Sequence, residues 1–224
     1  MKKIFFIALL SMILVAKAQS QGQPQGQPHS RLNVYGAYAF PDSYSSYYDS
    51  YNYYDGKIDG GFQYGVGYEY MLHSYSGIEL MYLHEDTKAP TRWQEGISNP
   101  NHNGEFDIHL NYLTIGTNGH KASASGKVEG YGGIFLGAAF VNAENPDTHN
   151  TGSATKFAWG IKAGVNIWAN EKFGIKLQTQ LLSIAQGAGG GLYFGTGGAG
   201  VGVSTYSTIY QFCLGGGLCF RFGK

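Results

Sequence analysis

The final strand-like stretch of the chain, residues 210–222, places the strongest constraint on the fold. Alternate positions are apolar and, except for one glycine, bulky: Tyr210, Phe212, Leu214, Gly216, Leu218, Phe220 and Phe222. The positions between them are small or polar: Gln211, Cys213, Gly215, Gly217, Cys219 and Arg221. Because the side chains of a strand alternate between its two faces, one face is large and apolar and the other is small or polar.

This asymmetry suits a strand in a membrane barrel better than a strand in a soluble core. Glycine, cysteine and arginine would fill a core poorly, whereas large apolar side chains suit contact with lipid. A tilted strand of about 9–11 residues crosses a bilayer, and this run is long enough. The unpaired edges of one strand cannot remain unsatisfied in lipid, so the rest of the chain must close a barrel.

The N-terminus predicts a secretory signal peptide over residues 1–18. Lysines at 2 and 3 are followed by an apolar core at 4–15 and by the cleavage motif A-K-A at 16–18. The core is too short for a membrane-spanning helix, which needs about 20 residues. Residues 19–30 are rich in Gln, Gly and Pro, and they predict a flexible leader.

Alternating patterns predict seven further strands, near residues 32–40, 60–72, 77–84, 105–117, 126–141, 156–168 and 172–184. Long and short connections alternate between them, and the long ones cover residues 41–59, 85–104, 142–155 and 185–204. Outer-membrane barrels have an even number of strands, short periplasmic turns and long extracellular loops. The predicted fold is therefore all-β: an eight-stranded antiparallel up-and-down transmembrane β-barrel over residues 31–224.

The fourth predicted strand keeps its pattern only in part. Its apolar residues Phe106, Ile108, Leu110 and Tyr112 are predicted to face lipid, opposite Asp107, His109 and Asn111. Beyond them, Leu113 and Ile115 fall on the polar face, so a bulge or a short wall toward the periplasm is expected. Residues 118–125 predict a turn.

Composition and charge agree with a barrel. The chain has 35 Gly, 18 Tyr and 13 Phe, which suit twisted strands and aromatic girdles. Without the three lysines of the signal peptide, the chain has 12 basic and 15 acidic residues. This charge balance gives no reason to expect a nucleic-acid partner. Cys213 and Cys219 lie about 20 Å apart on one strand, too far for a disulfide. We therefore expect them to be small lumen fillers.

The strand pattern and the terminal run L-C-F-R-F at 218–222 resemble the small outer-membrane β-barrel family typified by OmpX and the OmpA transmembrane domain, in the form common in Bacteroidetes. The resemblance covers residues 32–222. It implies a monomer in the outer membrane of a Gram-negative bacterium, in contact with outer-membrane lipid. It also implies insertion by the barrel assembly machinery, which recognises a terminal aromatic residue. Here two residues, Gly223 and Lys224, follow that aromatic.

Charged residues on the predicted inward faces indicate an ion-pair network. An eight-stranded barrel is only wide enough to be filled by its own side chains, and buried charges must be paired or hydrated. The predicted members are Glu69, Glu79, Asp107, Glu129, Lys127, Lys162, Lys176 and Arg221. The alternative is that these charges line a narrow, porin-like conduit for ions.

The first long loop contains six tyrosines interleaved with serine and aspartate: Tyr44, Tyr47, Tyr48, Tyr51, Tyr53 and Tyr54. Tyrosine provides a large contact area at low entropic cost, as in adaptable binding surfaces. We therefore hypothesise that this loop contacts a glycan or another surface protein. Alternatively, its tyrosines enter the aromatic girdle at the bilayer rim.

A lipid-modifying enzyme is the third possible function. Such a site needs a nucleophile, a histidine and an orienting acid close together. His84 lies beside Glu85 and Asp86 but has no flanking serine, and no two histidines have a ligand-like spacing. We therefore predict no catalytic residue, no metal and no cofactor. The expected role is structural or a surface interaction through the external loops.

Overall fold

The computed structural model describes residues 29–49, 52–95, 102–146, 149–185, 191–195, 198–202 and 209–223. They form twelve strands: β1 (His29–Ala39), β2 (Asp42–Asp49), β3 (Asn52–Ile58), β4 (Gly61–His73), β5 (Ser76–Glu95), β6 (His102–Ala122), β7 (Val128–Glu144), β8 (Thr151–Trp168), β9 (Phe173–Ala185), β10 (Gly191–Gly195), β11 (Gly198–Gly202) and β12 (Ile209–Phe222). Within this described part of the chain, no helix is long and apolar enough to cross a membrane.

Eight strands form a closed antiparallel ring in the order β1-β4-β5-β6-β7-β8-β9-β12, which confirms the predicted barrel. β12 pairs with β1 on one side and with β9 on the other, so neither of its edges is exposed. The predicted signal peptide and residues 19–28 of the leader lie outside the described residues. The last two leader residues, His29 and Ser30, already belong to β1.

The outer surface of the ring carries a belt of exposed apolar side chains. Phe62 is 63% exposed and Ile134 62%, although both are large and apolar. An apolar surface this continuous marks contact with an apolar phase, as the predicted lipid-facing side requires. We call the end of the barrel with the predicted long loops its upper end, and the end with the short turns its lower end.

All four segments predicted as long loops contain strands, so that prediction is wrong in detail. β5 continues to Glu95, β6 begins at His102, and β2 and β3 form a hairpin that pairs with β5. The connection between β7 and β8 spans only residues 145–150. We call β2, β3 and residues 86–95 and 102–109 the upper sheet. The prediction failed because it assumed strands that end at the bilayer surface, whereas backbone pairing continues above it.

The prediction for the faces of β6 is also wrong in its first half. Phe106, Ile108 and Leu110 are buried inside the barrel, whereas His109 is exposed on the outer face. Above the apolar belt the outside of a barrel meets water, so polar side chains face outward and apolar ones pack inside. These apolar residues of β6, which were predicted to face lipid, therefore face the interior of the barrel.

β6 has neither the predicted bulge nor a turn at residue 118. It pairs without a shift in register with both β5 and β7, and it ends at Ala122. Asn118 and His120 consequently point into the lumen, in phase with Thr114. β10 and β11 pair as a two-stranded hairpin that lies near β5, β7 and β8.

Candidate functional site

A buried ionic cluster in the lower lumen joins five strands, β1, β4, β6, β7 and β8. The Arg31 guanidinium donates two hydrogen bonds to Glu129, from Nη1 to Oε1 at 2.6 Å and from Nη2 to Oε2 at 3.1 Å. His120 lies between two carboxylates, with Nδ1 2.9 Å from Glu129 Oε1 and Nε2 2.9 Å from Glu69 Oε1. Asn166 also donates to Glu129 Oε1, at 2.9 Å. Ionised carboxylates only accept hydrogen bonds, so this geometry suits a doubly protonated, cationic His120.

A second cluster surrounds Glu79. Its carboxylate forms an ion pair with Lys162 and accepts hydrogen bonds from the Tyr35 hydroxyl and from Asn33 Nδ2, the latter at 2.8 Å. The Asn118 side-chain amide donates to Glu79 Oε2 at 3.0 Å and to Glu69 Oε1 at 2.5 Å. Asn118 therefore connects the two clusters into one network.

Two further cations in the lower lumen lie against aromatic rings. The Lys176 ammonium is 3.9 Å from the centre of the Tyr131 ring. The Arg221 guanidinium is 4.2 Å from the Trp168 ring centre. Cation–π contact is worth about 0.5–1 kcal/mol at exposed sites and about 2 kcal/mol or more when desolvated, so the buried Lys176 gains more from it than the half-buried Arg221.

The structure places six of the eight predicted network residues in the lumen. Glu69, Glu79, Glu129 and Lys162 are hydrogen-bonded within the network, and Lys176 and Arg221 lie beside it. Asp107 and Lys127 are wrongly placed by the prediction. Asp107 lies on the outer face, because the faces of β6 are reversed, and Lys127 is exposed in a turn.

Sequence reasoning missed several members of the network, among them Arg31, Asn118 and His120. A signal for each was present. Arg31 alternates with the apolar Leu32 and Val34 on the same strand, which predicts an inward side chain. Asn118 and His120 continue the inward phase of β6, and they were overlooked because a turn was expected there.

A chain of hydrogen bonds crosses the lumen above the ionic network. We call it the polar layer, and its members are Tyr131, Gln178, Gln180, Gln63, Glu85, Gln211 and Tyr112. The Gln180 amide donates to Gln63 Oε1 at 2.6 Å, and Gln63 and Gln211 donate to the two oxygens of Glu85 at 3.2 and 3.0 Å. The layer therefore ties opposite walls together with protein groups.

Above the polar layer the interior becomes apolar. We call this region the upper core, and its buried, inward-facing side chains include Ile58, Ala89, Phe106, Ile108, Leu110, Ala139, Val141, Ala143, Ala154, Lys156, Ala158, Ile184 and Ile209. All of them are buried. The interior of the barrel thus has two compartments, one filled with polar networks and one packed mainly with apolar side chains.

The outward face of the upper sheet is polar and contains a groove of about 690 Å³. The groove is lined by Asp55, Gly56, Lys57, Pro90, Thr91, Arg92, Asn103, Gly104 and Glu105. Nearby, Lys88 forms an ion pair with Glu105.

His109 Nδ1 lies 2.5 Å from Asp86 Oδ1, and hydrogen bonds from His109 and His84 lower the pKa of Asp86. This face presents both charges and amide groups to solvent.

The tyrosine-rich segment is a hairpin in its described part. Tyr44, Tyr47 and Tyr48 lie on β2, and Tyr53 and Tyr54 lie on β3. Tyr47 pairs with Tyr53, and Tyr54 pairs with Trp93 of β5. Tyr51 lies outside the described residues. The segment is therefore joined to the upper sheet by backbone pairing.

No protein-family model and no curated protein matches the chain. Among solved structures, Neisserial surface protein A has a TM-score of 0.53 at 10% sequence identity and covers 89% of this chain and 100% of its own. The fold is that of a small outer-membrane β-barrel. The predicted resemblance to such barrels is thereby confirmed at the level of the fold.

Two further solved barrels are similar to this one. The N-terminal domain of Pseudomonas aeruginosa OprF has a TM-score of 0.44 at 14% identity, covering 88% of this chain and 100% of its own. The Escherichia coli outer-membrane protease OmpT has a TM-score of 0.45 at 8% identity, covering 90% and 99%. Only the fold is shown, by the similarity to Neisserial surface protein A, and at 10% identity that similarity says nothing about activity. Within the described residues, no group of three or more His, Cys, Asp or Glu side chains is placed to hold a metal ion.

Proposed function

We propose that this outer-membrane barrel is non-enzymatic and non-conducting, and that it acts at the cell surface through its upper sheet. The observation that carries the proposal is the groove on the outward face of β3, β5 and β6. These strands continue beyond the lipid-facing belt, so the groove lies in water outside the bilayer. A structural membrane anchor alone gives no reason for a paired sheet in that position.

The groove has the chemistry to bind a hydroxyl-rich glycan. Asp55 and Glu105 supply acceptors, Lys57 and Arg92 supply donors, and Asn103 supplies both. Glycan hydroxyls donate and accept hydrogen bonds, so mixed groups at close spacing match them better than a surface of one charge sign. The β2–β3 hairpin, whose backbone pairs with β5, is rich in tyrosine, a residue type that suits adaptable binding surfaces.

The interior supports a closed barrel. The polar layer and the ionic network fill the lower lumen with hydrogen-bonded protein groups, which favours a plug over an ion conduit. The half-buried His84 and the exposed His109 fit a non-enzymatic role. His84 and His109 contact Asp86 and Asn111, and the described hydrogen bonds link neither histidine to a serine or cysteine.

A glycan array probed with the refolded barrel tests this function. We expect binding that the double substitution Asp55→Ala/Arg92→Ala lowers at least about tenfold, since two hydrogen-bonding charged groups are lost. Lys127→Ala, in an exposed turn at the lower end, is the matched control and should bind as the wild type does. Equal signals from all three proteins, or no signal from the wild type, would reject the glycan proposal.

A further inference from the structure

The charges that solvent reaches differ in sign between the two ends of the barrel. At the lower end, Lys121, Lys127 and Lys172 are exposed, and Glu171 is the one exposed acid among the described residues there. At the upper end, acidic side chains outnumber basic ones in the described part of the chain. They are Asp42, Asp55, Asp59, Asp86, Glu105, Asp107 and Glu144, against Lys57, Lys88 and Arg92. The lower end is therefore the basic end of the molecule.

The lower lumen adds to this positive charge. Below the polar layer, its described lysines and arginines are Arg31, Lys162, Lys176 and Arg221, and its carboxylates are Glu69, Glu79 and Glu129. Four cations against three carboxylates leave a net positive charge, even before that of His120 is added. Lys176 and Arg221 lie over aromatic rings and form no ion pair with a described carboxylate. Arg221 is only half-buried, so its charge also acts on groups that approach the lower end.

The three exposed lysines lie on one side of the ring, at two successive turns. Lys121 lies near the end of β6 and pairs with Gly130 of β7, and Lys127 lies in the turn between these strands. The Trp168 amide donates to the Lys127 carbonyl at 2.8 Å, which brings this turn against the end of β8. The turn between β8 and β9 carries Lys172. Four neighbouring strands span an arc of about 14 Å, so the three lysines form one surface, which we call the lower rim patch.

The lower rim patch borders directly on the apolar belt. Lys121 continues the outward phase of β6, on which Ile115 is exposed, and Lys127 is followed by the exposed Val128. The third lysine directly precedes β9, whose outward side chains belong to the same belt. None of the three lysines forms an ion pair with a described carboxylate. A ligand that matches this arrangement has hydrocarbon at the level of the belt and negative charge immediately below it.

We propose that the lower rim patch binds the headgroup of an anionic phospholipid, such as phosphatidylglycerol, in the leaflet that borders the lower end. The phosphate would accept hydrogen bonds from the lysine ammonium groups, and the acyl chains would lie against the apolar belt. Lysine suits this position because its hydrocarbon stem lies along apolar surface while its ammonium reaches the headgroup. A zwitterionic headgroup carries an ammonium of its own, which the patch and the lumen charges repel. The site lies on the outside of the wall and requires no space in the packed interior.

Native mass spectrometry of the refolded barrel in a non-ionic detergent tests the patch. The probes are phosphatidylglycerol and phosphatidylethanolamine with the same acyl chains, and the wild type should bind the first more tightly. Loss of one lysine at an anionic membrane surface lowers affinity about fivefold, so Lys127→Gln/Lys172→Gln should bind phosphatidylglycerol at least about tenfold more weakly. Its affinity for phosphatidylethanolamine should not change. Two controls should bind both lipids as the wild type does: Lys127→Arg/Lys172→Arg, which keeps the charges, and Lys88→Gln, which removes one at the upper end.

Heat-modifiable gel mobility checks that each variant is folded, as expected for substitutions at exposed positions. Equal binding of the two lipids by the wild type would overturn the proposal, and so would a preference for phosphatidylglycerol that Lys127→Gln/Lys172→Gln retains. A preference that Lys88→Gln also loses would depend on net charge and not on the patch, which would overturn it as well. None of these outcomes concerns the groove of the upper sheet at the other end, so the two proposals fail separately.

Discussion

Removal of the Arg31 guanidinium gives the sharpest test of the ionic network. Arg31 is 1% exposed and donates to both oxygens of Glu129. Breaking a buried ion pair by removing one partner costs about 3–5 kcal/mol, because the other charge is left uncompensated. In Arg31→Met, Glu129 Oε1 loses the bond from Arg31 but keeps those from His120 and Asn166, whereas Oε2 loses the one described partner it has. We therefore expect a loss near the lower limit, about 3 kcal/mol.

Equilibrium unfolding in urea measures this loss. The fraction of folded barrel in detergent micelles can be followed by the difference in gel mobility between boiled and unboiled samples. Lys127→Met, at an exposed position, should stay within about 0.5 kcal/mol of the wild type. The double variant Arg31→Met/Glu129→Leu removes both charges and should recover much of the stability, since a buried pair replaced by apolar groups is often neutral.

The double-mutant cycle decides the interpretation. A coupling energy of at least about 1 kcal/mol is expected for residues in one hydrogen-bonded network. If Arg31→Met unfolds like the wild type, or if the two single losses simply add, then the Arg31–Glu129 contact does not stabilise the barrel and the reasoning is refuted.

Three further predictions concern packing, protonation and conduction. At Gly67, a Cβ would overlap the carboxylate of Glu79, which is held by hydrogen bonds, so Gly67→Ala should lower the free energy of unfolding in urea by about 1–3 kcal/mol. The control Gly132→Ala, whose Cβ has no neighbour closer than 3.6 Å, should lower it by less. Equal losses of stability in the two variants would contradict this prediction. The hydrogen bond from His109 lowers the pKa of Asp86, so the stabilisation from this contact is present at neutral pH and is lost as the pH falls through that lowered pKa. His109→Gln should therefore raise the pKa of the Asp86 carboxyl in a carbon-13 NMR titration. An unchanged titration of Asp86 would count against the contact. The wild-type barrel should show no steady conductance steps in a planar bilayer, whereas regular steps would mean that the lumen is open.

Alternation along the sequence predicted the barrel because one rule holds throughout the bilayer. On β4, Phe62 and Val66 face outward and Glu69 inward, as expected. On β8, Trp159 and Lys162 likewise face opposite sides. Lipid outside and polar groups inside give each residue one allowed face, so the period of two fixes the orientation of every such strand.

The ionic network was harder to predict because its partners are distant in sequence. Arg31 and Glu129 are 98 positions apart, and Lys162 and Glu79 are 83 apart. Which inward charges meet depends on the stagger between neighbouring strands around the ring, and a pattern within one strand does not contain that stagger. Alternation therefore identifies candidates for the lumen but not pairs.

The change of polarity along β6 explains both the failed predictions and the two compartments. Leu113 is 48% exposed on the outer face, whereas Phe106 is buried inside. Between them, near Asn111, the strand leaves the bilayer, and the phase of its apolar residues shifts by one position. β5 changes at the same place, from Tyr82 outside to Asp86 outside. In these unbroken strands, the position at which the apolar residues change from the outer to the inner face therefore marks the membrane surface. Above it the outside of the barrel meets water instead of lipid, and for that reason the interior there is apolar.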